Sequence, residues 1–407
     1  MRLSRLRLSN FRNLAEVELE VPPGVSVYFG QNAQGKTALV EAVYLLAIAR
    51  SFRAENEREL VNFDAAREGG QTLVDGVVEY DDPEGRPHPN PLPLGEGTVA
   101  RHRVIVGYRA SPSTAASGPG YRVHKEIRVD RMRRTATSLV GLVHAVLFSV
   151  QDIGLVQGPP SARRRFLDIL ISQADPLYLQ GLQRYQRVLQ QRNRLLRMRR
   201  EGRARPDEME FWDDELVREG AWLTWRRHEV MDILTPACVR HHRDLGGGET
   251  LVLRYRPSVP LSAGADGMTG SYREALQAVA GRERATAATA AGPHRDDFDI
   301  IVNGVDMGAF ASRGQARTLA LALRLAEAET LSAVRGTRPL LLLDDALSEM
   351  DADRRRRVLE KTADYPQVMI TTTDVEQVSD YFGASAAYFR VDEGRIMPCD
   401  LLEMGEK

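Results

Sequence analysis

The first 60 residues combine strand-like and helix-like patterns of apolar side chains. Residues 2–9 alternate polar and apolar positions, and residues 25–29 form a short β-branched and aromatic run after a Pro-Pro-Gly turn, so both segments predict strands. Residues 38–48 are almost wholly apolar and predict a buried helix. The order of these segments is strand, turn, strand, loop and helix.

The rest of the chain divides into three kinds of pattern. Residues 161–243 contain few glycines and repeated apolar positions, which predicts a mainly helical region. Residues 339–343 form a wholly apolar run that predicts a buried parallel strand. Residues 81–97 and 111–120 are rich in Pro, Gly and Ser, and flank a predicted strand at 99–108. These two segments predict loops, for which the alternatives are a functional lid and a disordered insertion, and composition favours the insertion.

Composition indicates a folded, soluble, multi-domain protein. The 407 residues suffice for two or three domains, 43% are hydrophobic and 27% charged, and no run approaches the roughly 18 consecutive apolar residues of a membrane span. No secretion signal precedes the first strand, and the two cysteines, Cys238 and Cys399, are typical of a reduced chain. We therefore expect a cytoplasmic protein. The net charge of −1 does not by itself indicate nucleic-acid binding.

The loop between the predicted strand at 25–29 and the helix that follows matches the phosphate-binding pattern G-x-x-x-x-G-K-[ST]. Backbone N–H groups and the helix N-terminus of such a loop surround phosphates, the lysine reaches the β- and γ-phosphates, and the hydroxyl takes a Mg²⁺ position. The strand and helix flanks make a chance match improbable. We predict ATP and Mg²⁺ as cofactors, bound by Gly30, Gln31, Asn32, Ala33, Gln34, Gly35, Lys36 and Thr37.

A second acidic motif ends the apolar strand at 339–343. Asp344 is predicted to hold Mg²⁺, and Asp345 to orient the attacking water as a base, with Lys36 as a further catalytic residue. Because so much chain separates the two motifs, the intervening segment must leave the nucleotide-binding domain and return. The sequence therefore predicts a split domain.

Two further segments are similar to motifs of ABC-type ATPases. Ala311-Ser-Arg-Gly-Gln315 precedes a predicted helix at 316–331, so Ser312, Gly314 and Gln315 would form an anion site at its N-terminus. Ser348-Glu-Met-Asp351 resembles the D-loop and adds Asp351 to the predicted nucleotide site. In proteins with this pattern, the signature of one subunit closes over the ATP of another.

The whole set of motifs resembles the RecF family, within the SMC and Rad50 group of ABC ATPases. The resemblance covers most of the chain in ordered segments: Leu8-Ser-Asn-Phe-Arg-Asn-Leu14, the phosphate loop, Arg50-Ser-Phe-Arg53, residues 158–168, residues 291–297, and the block from signature to D-loop. The fold it implies is an α/β ABC-type P-loop ATPase head assembled from residues 1–160 and 286–407, with an inserted helical arm at 161–285.

The resemblance also implies residue roles, partners and activity. Arg12 and Asn13 would lie near the base and phosphates, and Gln151 would sense Mg²⁺ and γ-phosphate, although RecF proteins usually carry Pro-Glu-Asp at this point. The implied activity is slow, DNA-dependent ATP hydrolysis by an ATP-dependent homodimer that binds DNA at junctions of single and double strand. The implied protein partners are RecR and RecO, in support of recombinase loading during repair and replication restart.

One basic segment and two other protein classes remain open. A run of arginines could follow a DNA backbone or form a solvated helix face, and the sequence favours neither. Transporter-type ABC ATPases more often carry a switch histidine, where this chain has Thr371-Thr-Thr-Asp374, and lack an arm; a monomeric P-loop kinase would need no signature serine. The arginines of this segment are Arg184, Arg187, Arg192, Arg194, Arg197, Arg199, Arg200, Arg203 and Arg205.

Overall fold

The computed structural model describes residues 1–67, 69–80, 100–112, 121–203, 207–246, 248–348 and 350–400. The two predicted loops fall largely outside this range, since residues 81–99 and 113–120 are not among those described. The chain forms two compact units. The first consists of Met1–Gln151 with the described part of Leu331–Lys407, and the second is Asp152–Thr330.

The secondary structure is numbered here in chain order. The strands are β1 (Arg2–Phe11), β2 (Leu14–Glu20), β3 (Gly24–Phe29), β4 (Gln71–Tyr80), β5 (Ala100–Pro112), β6 (Tyr121–Val129), β7 (Met132–Arg134), β8 (Ala145–Ser149), β9 (Leu251–Arg256), β10 (Asp297–Val302), β11 (Val305–Asp306), β12 (Leu340–Asp344), β13 (Gln367–Thr372), β14 (Ala386–Asp392) and β15 (Arg395–Cys399). The α-helices are α1 (Lys36–Ile48), α2 (Phe63–Arg67), α3 (Ala136–Leu139), α4 (Ile153–Gln157), α5 (Pro160–Ala174), α6 (Pro176–Arg200), α7 (Glu210–Asp244), α8 (Gly264–Thr286), α9 (Met307–Phe310), α10 (Arg313–Arg335), α11 (Ala352–Ala363) and α12 (Glu376–Phe382). No helix in the described residues is long and apolar enough to cross a bilayer.

An antiparallel sheet in the order β2-β1-β4-β5-β6-β7 forms one layer of the first unit. The alternation of β1 shifts phase after Leu3, because a bulge between Leu3 and Arg5 in the pairing with β4 turns Leu6 and Leu8 inward. Helix α1 contacts this sheet and also the parallel sheet of the same unit. It is buried on nearly every side, which explains why residues 38–48 are apolar apart from Glu41.

The parallel sheet of the first unit has the order β15-β14-β3-β13-β12-β8. Strand β3 is paired in parallel with β13 and β14, and β12 in parallel with β13 and β8. The strands predicted at 25–29 and 339–343 are confirmed at Gly24–Phe29 and Leu340–Asp344. In this register Asp344 lies beside Thr371 on one neighbouring strand and beside Ser149 on the other.

The second unit contains long helices and a small antiparallel sheet in the order β11-β10-β9. Its interior includes Arg227 of α7, which is 1% exposed. The guanidinium donates to the Asp168 carboxylate at 2.8 Å, to the Asp296 carboxylate at 3.2 Å and to the Tyr178 hydroxyl at 2.9 Å. A buried charge needs such partners, because an unpaired one would cost several kcal/mol. The motif segments 158–168 and 291–297 thus meet at one buried ion cluster.

Both ring nitrogens of His294 are hydrogen-bonded inside the second unit. Nδ1 lies 2.6 Å from the Tyr185 hydroxyl and Nε2 lies 3.1 Å from the Thr289 carbonyl oxygen. Burial is the main cause that lowers the pKa of His294, to about 4. These contacts are those of a histidine that stabilises the local fold.

We expect His294 to make the second unit sensitive to acid. Between pH 6.5 and 4 the unfolded chain takes up a proton that the folded unit resists, so stability falls as the pH falls through this window. The loss at pH 5 relative to pH 7.5 is about 2 kcal/mol for this group. Urea unfolding followed by tryptophan fluorescence measures it, because Trp212, Trp222 and Trp225 all lie in α7.

His294→Gln should remove this part of the pH dependence, whereas His124→Gln, at an exposed position on β6, should leave it unchanged. The same pH dependence in the wild type and in His294→Gln would contradict the assignment.

Candidate nucleotide site and signature segment

The phosphate-binding loop connects β3 to α1, and close packing explains its two motif glycines. A Cβ on Gly30 would lie 2.2 Å from the carbonyl oxygen of Val391, and one on Gly35 would lie 2.7 Å from a methyl group of Leu14. Gly35 also has φ +118°, a conformation that disfavours residues with a side chain. A larger residue would displace the backbone at Gly30, and at Gly35 it would strain the backbone and push the Leu14 side chain aside.

Lys36 lies across this loop at the start of α1. Its ammonium group donates to the carbonyl oxygens of Gly30 at 2.6 Å and Gln31 at 2.7 Å. Burial lowers the pKa of Lys36, while the carboxylates of Asp345 and Asp344 act in the opposite direction. The ammonium is therefore held at the loop and within the field of both acids.

Segments on either side of the loop hold its backbone. The amide of Asn13 donates to the Ala33 carbonyl oxygen at 3.1 Å. The side-chain oxygen of Gln34 accepts a hydrogen bond from the backbone N–H of Glu393 at 2.5 Å. The backbone carbonyl oxygen of Gln34 accepts one from the backbone N–H of Gly394 at 3.0 Å. The remaining loop side chains, Gln31 and Asn32, are exposed.

Asp344, at the end of β12, lies against Thr37. The Thr37 hydroxyl donates to Oδ1 of Asp344 at 3.0 Å, and the Thr371 hydroxyl donates to the same oxygen at 2.9 Å. Burial raises the pKa of Asp344, and the two hydrogen bonds and the charge of Arg53 oppose that shift. A hydroxyl and a carboxylate at this separation are oxygen ligands of the kind Mg²⁺ prefers, so Thr37 and Asp344 fit the ion.

Asp345 follows in a left-handed backbone conformation with φ 50°. Its N–H donates to the Thr371 hydroxyl at 3.1 Å, so Thr371 holds both acids. Non-glycine residues in this conformation cost about 1 kcal/mol and persist where the surroundings fix them, often at functional sites.

Gln151 lies at the same edge of the sheet as Asp344. It follows β8, whose last residue Ser149 is in register with Asp344, and its side chain is exposed. The structure thus places Gln151 two residues beyond the partner of Asp344 in the sheet, in the 3₁₀ turn Val150–Asp152.

The signature segment begins α10 in the second unit. The Ser312 hydroxyl accepts the backbone N–H of Gln315 at 3.2 Å, and the Gln315 side chain accepts that of Ser312 at 3.0 Å. This reciprocal arrangement is a capping box, typical of a well-formed helix start. Ser312 and Gly314 are exposed, so the N-terminus of α10 is open to solvent.

Asp351 caps a different helix, α11 of the first unit. Its side chain accepts the backbone N–H of Arg354 at 2.9 Å and forms an ion pair with the Arg354 side chain at 3.4 Å. Asp351 is exposed, and Glu349 of the predicted D-loop lies outside the described residues.

Three residues that the predicted site did not include belong to it: Thr371, Glu41 and Arg53. Thr371 bonds to both acids, as described above. Glu41 of α1 is 0% exposed and binds the guanidinium groups of Arg12 and Arg53. The sequence did offer a signal for Glu41, because it is the lone acid in the apolar stretch 38–48 and a buried carboxylate requires a positively charged or hydrogen-bonding partner. No cluster of three or more His, Cys, Asp or Glu suited to a metal occurs in the described ranges.

A phosphate loop and two acids on a parallel sheet, next to an antiparallel sheet in the same unit, define an ABC-type P-loop ATPase fold. The family model described as the RecF/RecN/SMC N terminal domain matches residues 2–394. A Roseiflexus castenholzii protein described as DNA replication and repair protein RecF is 40% identical over 417 residues, covering 98% of this chain and 100% of the relative. Its Herpetosiphon aurantiacus counterpart is 37% identical over 402 residues, with 98% and 100% covered. The chain belongs to the RecF family.

Solved structures agree with this assignment. A structure of the recombination mediator protein RecF with ATP superposes with a TM-score of 0.82 at 30% identity, over 98% of this chain and 97% of that one. The Smc head domain of Pyrococcus furiosus has a TM-score of 0.53 at 13% identity, over 99% and 97%, which shows a shared fold alone.

Proposed function

We propose that the chain is a recombination mediator that binds ATP, dimerises on it and holds DNA near junctions of single and double strand. The observation that carries the ATP site is the contact of Thr37 with Asp344 at 3.0 Å beside the bridging Lys36 ammonium. A phosphate loop, a hydroxyl and an acid are the parts that nucleotide hydrolysis requires. The ATP-bound relatives support the same ligand.

The chemistry follows from where these side chains lie. Lys36 would leave its two carbonyl partners for the β- and γ-phosphates, and Thr37 and Asp344 would hold Mg²⁺. When bound, Mg²⁺ neutralises charge on the phosphates. Asp345 would orient the attacking water, and Gln151 would report the presence of the γ-phosphate. Thr371 occupies the region where ABC transporters carry the switch histidine, and the missing histidine supports slow turnover. The dependence of this turnover on DNA is proposed from the likeness to RecF proteins alone.

The proposed dimer uses the exposed start of α10. Ser312 of one subunit through its hydroxyl, and Gly314 through its backbone N–H, would bind the γ-phosphate of ATP held by the other, because the start of a helix attracts anions. Gln315 would keep Ser312 oriented through the capping box, and Asp351 would line the same shared site. ATP would therefore link the two subunits, and its hydrolysis would allow the dimer to separate.

For the cellular role, residues 1–160 and 286–407 would serve as the ATPase head and residues 161–285 as the arm. The names of the relatives support a role in DNA replication and repair, hence in the bacterial cytoplasm where DNA lies. RecR and RecO are the proposed protein partners, in support of recombinase loading. A transporter subunit is disfavoured, since the RecF relatives match over the whole chain, including the arm.

The arginine-rich segment supports a DNA contact at only some of its positions. Arg192 is 3% exposed and binds Glu283 and Asp213, so it belongs to the interior. Arg184 is paired with Glu219. The exposed cations at the end of α6 are Arg197, Arg199 and Arg200, while Arg205 lies outside the described residues.

The decisive experiment measures binding to gapped duplex DNA with ATP or ADP over a range of salt. We expect binding about 10-fold tighter with ATP, because a clamp adds the contacts of a second subunit. The slope of log binding constant against log salt concentration changes by about 0.9 for each phosphate contact. Changing Arg197, Arg199 and Arg200 to Gln, which removes three such contacts, should therefore reduce the slope by about 2.7.

The control for this experiment changes Arg184, Arg218 and Arg254 of the same unit, each of which is ion-paired with a carboxylate. It should leave the slope nearly unchanged. Equal binding with ATP and ADP would refute the clamp. Equal salt slopes in the wild type, the α6 variant and the control would show that the α6 arginines form a solvated helix face and do not contact DNA.

A further inference from the structure

A buried carboxylate lies one helical turn beyond the phosphate loop. Glu41 is four residues after Thr37 on α1, so the two side chains lie on the same face of the helix. The Glu41 side chain is 0% exposed, so a charged group is buried among the apolar residues of this helix. Burial of a charged group is costly unless several hydrogen bonds stabilise it.

Those hydrogen bonds come from two arginines and a serine. Arg12 donates to Glu41 through Nε and Nη2, both at 2.9 Å, and Arg53 donates through Nε at 3.0 Å. The Ser51 hydroxyl also donates to Glu41, and in turn accepts the backbone N–H groups of Arg53 at 3.1 Å and Ala54 at 2.8 Å. Glu41 therefore fixes the Arg53 side chain and the loop that carries it.

Arg12 is fixed at its backbone as well. It has φ 57°, and in that conformation its N–H donates to the Leu60 carbonyl oxygen at 3.0 Å. The Asn62 amide donates to the Arg12 carbonyl oxygen at 2.9 Å. The next residue, Asn13, bonds to the phosphate loop at Ala33. Arg12 is thus held in a strained conformation at the border of the loop.

The charges in this cluster do not cancel. Two guanidinium groups share one carboxylate, so the group as a whole carries one excess positive charge. Arg12 and Arg53 keep side-chain exposures of 17% and 32%, whereas Glu41 keeps none. The charge of Arg53 also reaches Asp344, where it opposes the rise in that residue's pKa. A positive surface next to a phosphate loop favours a polyanionic ligand.

We infer that Glu41 is a positioning residue of the nucleotide site, which holds Arg12 and Arg53 beside the phosphate loop so that both guanidinium groups face bound ATP. This inference rests on the proposed binding of ATP. Glu41 touches no phosphate itself and acts through the two arginines. The competing interpretation is a structural ion cluster that has no effect on the ligand.

Glu41→Gln separates these interpretations because the two physical effects have opposite signs. Removing a negative charge makes the site more positive, so electrostatics alone would tighten ATP binding. Loss of the carboxylate weakens both the bidentate contact with Arg12 and the single hydrogen bond from Arg53. Positioning therefore predicts ATP binding about 10-fold weaker, the size expected for charged hydrogen bonds. Titration with a fluorescent ATP analogue gives the dissociation constant and the fraction of competent protein separately. A structural role would lower that fraction and leave the dissociation constant unchanged.

The matched control is Glu79→Gln in the same unit. Glu79 is 4% exposed and binds Arg2 and Arg101, so it is also a buried carboxylate with two arginines. It lies on β4, whereas Glu41 lies on the helix that follows the phosphate loop. We expect its loss to lower the unfolding temperature without weakening ATP binding.

A double-mutant cycle tests whether Glu41 acts through Arg12. If Arg12→Gln alone weakens binding about 10-fold, the combined variant should lose far less than the product of about 100-fold, because coupled residues are not additive. Should Glu41→Gln fail to fold, Glu41→Asp keeps the charge and shortens its reach, and should also weaken ATP binding.

Unchanged or tighter ATP binding in the folded Glu41 variants, or full additivity with Arg12→Gln, would overturn the inference while leaving the proposed function intact. Failure of the wild type and Glu79→Gln to bind ATP would instead overturn the proposed function.

Discussion

Replacing Lys36 by arginine is expected to lower ATP turnover by about 100-fold while ATP still binds, the loss typical of removing one charge-stabilising donor from a transition state. Lys36 is 7% exposed and its ammonium bridges two loop carbonyls at 2.6 and 2.7 Å. A guanidinium keeps the charge that attracts phosphate, but its planar shape is too large for this position. Steady-state phosphate release and ATP binding measured on one preparation check both parts.

The protein with Lys36→Arg should still form the ATP-dependent dimer, because the charge that holds ATP remains. Lys361→Arg is the matched control, since it makes the same exchange in the last turn of α11. Wild-type turnover in Lys36→Arg would show that hydrolysis does not depend on this loop. A strictly monomeric complex with ATP would exclude the clamp and favour a monomeric P-loop enzyme.

The second large effect is expected at the signature segment, where Ser312→Arg should abolish ATP-dependent dimerisation. Ser312 is exposed at the start of α10, and an arginine there would place bulk and a guanidinium where the second subunit is proposed to dock. ATP binding by each subunit should persist, because the contacts of Lys36 and Asp344 come from other segments. Light scattering with ATP measures the dimer.

Ser312→Ala distinguishes two effects of Ser312→Arg: the obstruction of the second subunit by a bulky side chain, and the loss of the helix cap. It removes the hydroxyl that accepts from Gln315, at a cost of about 1 kcal/mol, and adds no bulk. We expect it to weaken dimerisation less than Ser312→Arg does. If Ser312→Arg lost ATP binding itself, Ser312 would have been given the wrong role.

The sequence predicts the strands and helices near the nucleotide loop well, because local pattern and chain position agree there. The apolar helix predicted at 38–48 is confirmed as Lys36–Ile48, and the signature helix predicted at 316–331 is confirmed within Arg313–Arg335. The differences lie at the helix starts and, for the signature helix, also at its end, which is Arg335 and not residue 331. Lys36 and Arg313 are polar, so apolar periodicity does not include them, although both occupy the first turn.

Pairing between distant segments could not be predicted in the same way. Thr371 was seen only as a residue near the expected switch position, yet its hydroxyl holds Asp344 because β13 lies beside β12 in a particular register. Register depends on the whole sheet, and no short segment encodes it. The partners of Glu41 likewise come from residues 12, 51 and 53, which pattern alone does not bring together.

Charge patterning was informative only after burial was known. In the sequence, the arginines from Arg184 to Arg205 form one basic run, but Arg192 is an interior residue with acidic partners. A periodic pattern assigns a helix face only approximately, and a buried arginine is indistinguishable from an exposed one in composition. The exposed basic surface at the end of α6, formed by Arg197, Arg199 and Arg200, is therefore smaller than the number of arginines in the sequence suggests.

The strand order of the parallel sheet also limits when the ATPase can mature. Strand β3, which leads into the phosphate loop, is paired on both sides with strands that begin at residues 367 and 386. A ribosome adds about 5–20 residues per second, so β3 waits on the order of tens of seconds for its neighbours. Nucleotide capture by a growing chain is consequently excluded until β13 and β14 have emerged, and premature termination before residue 367 leaves β3 without either partner.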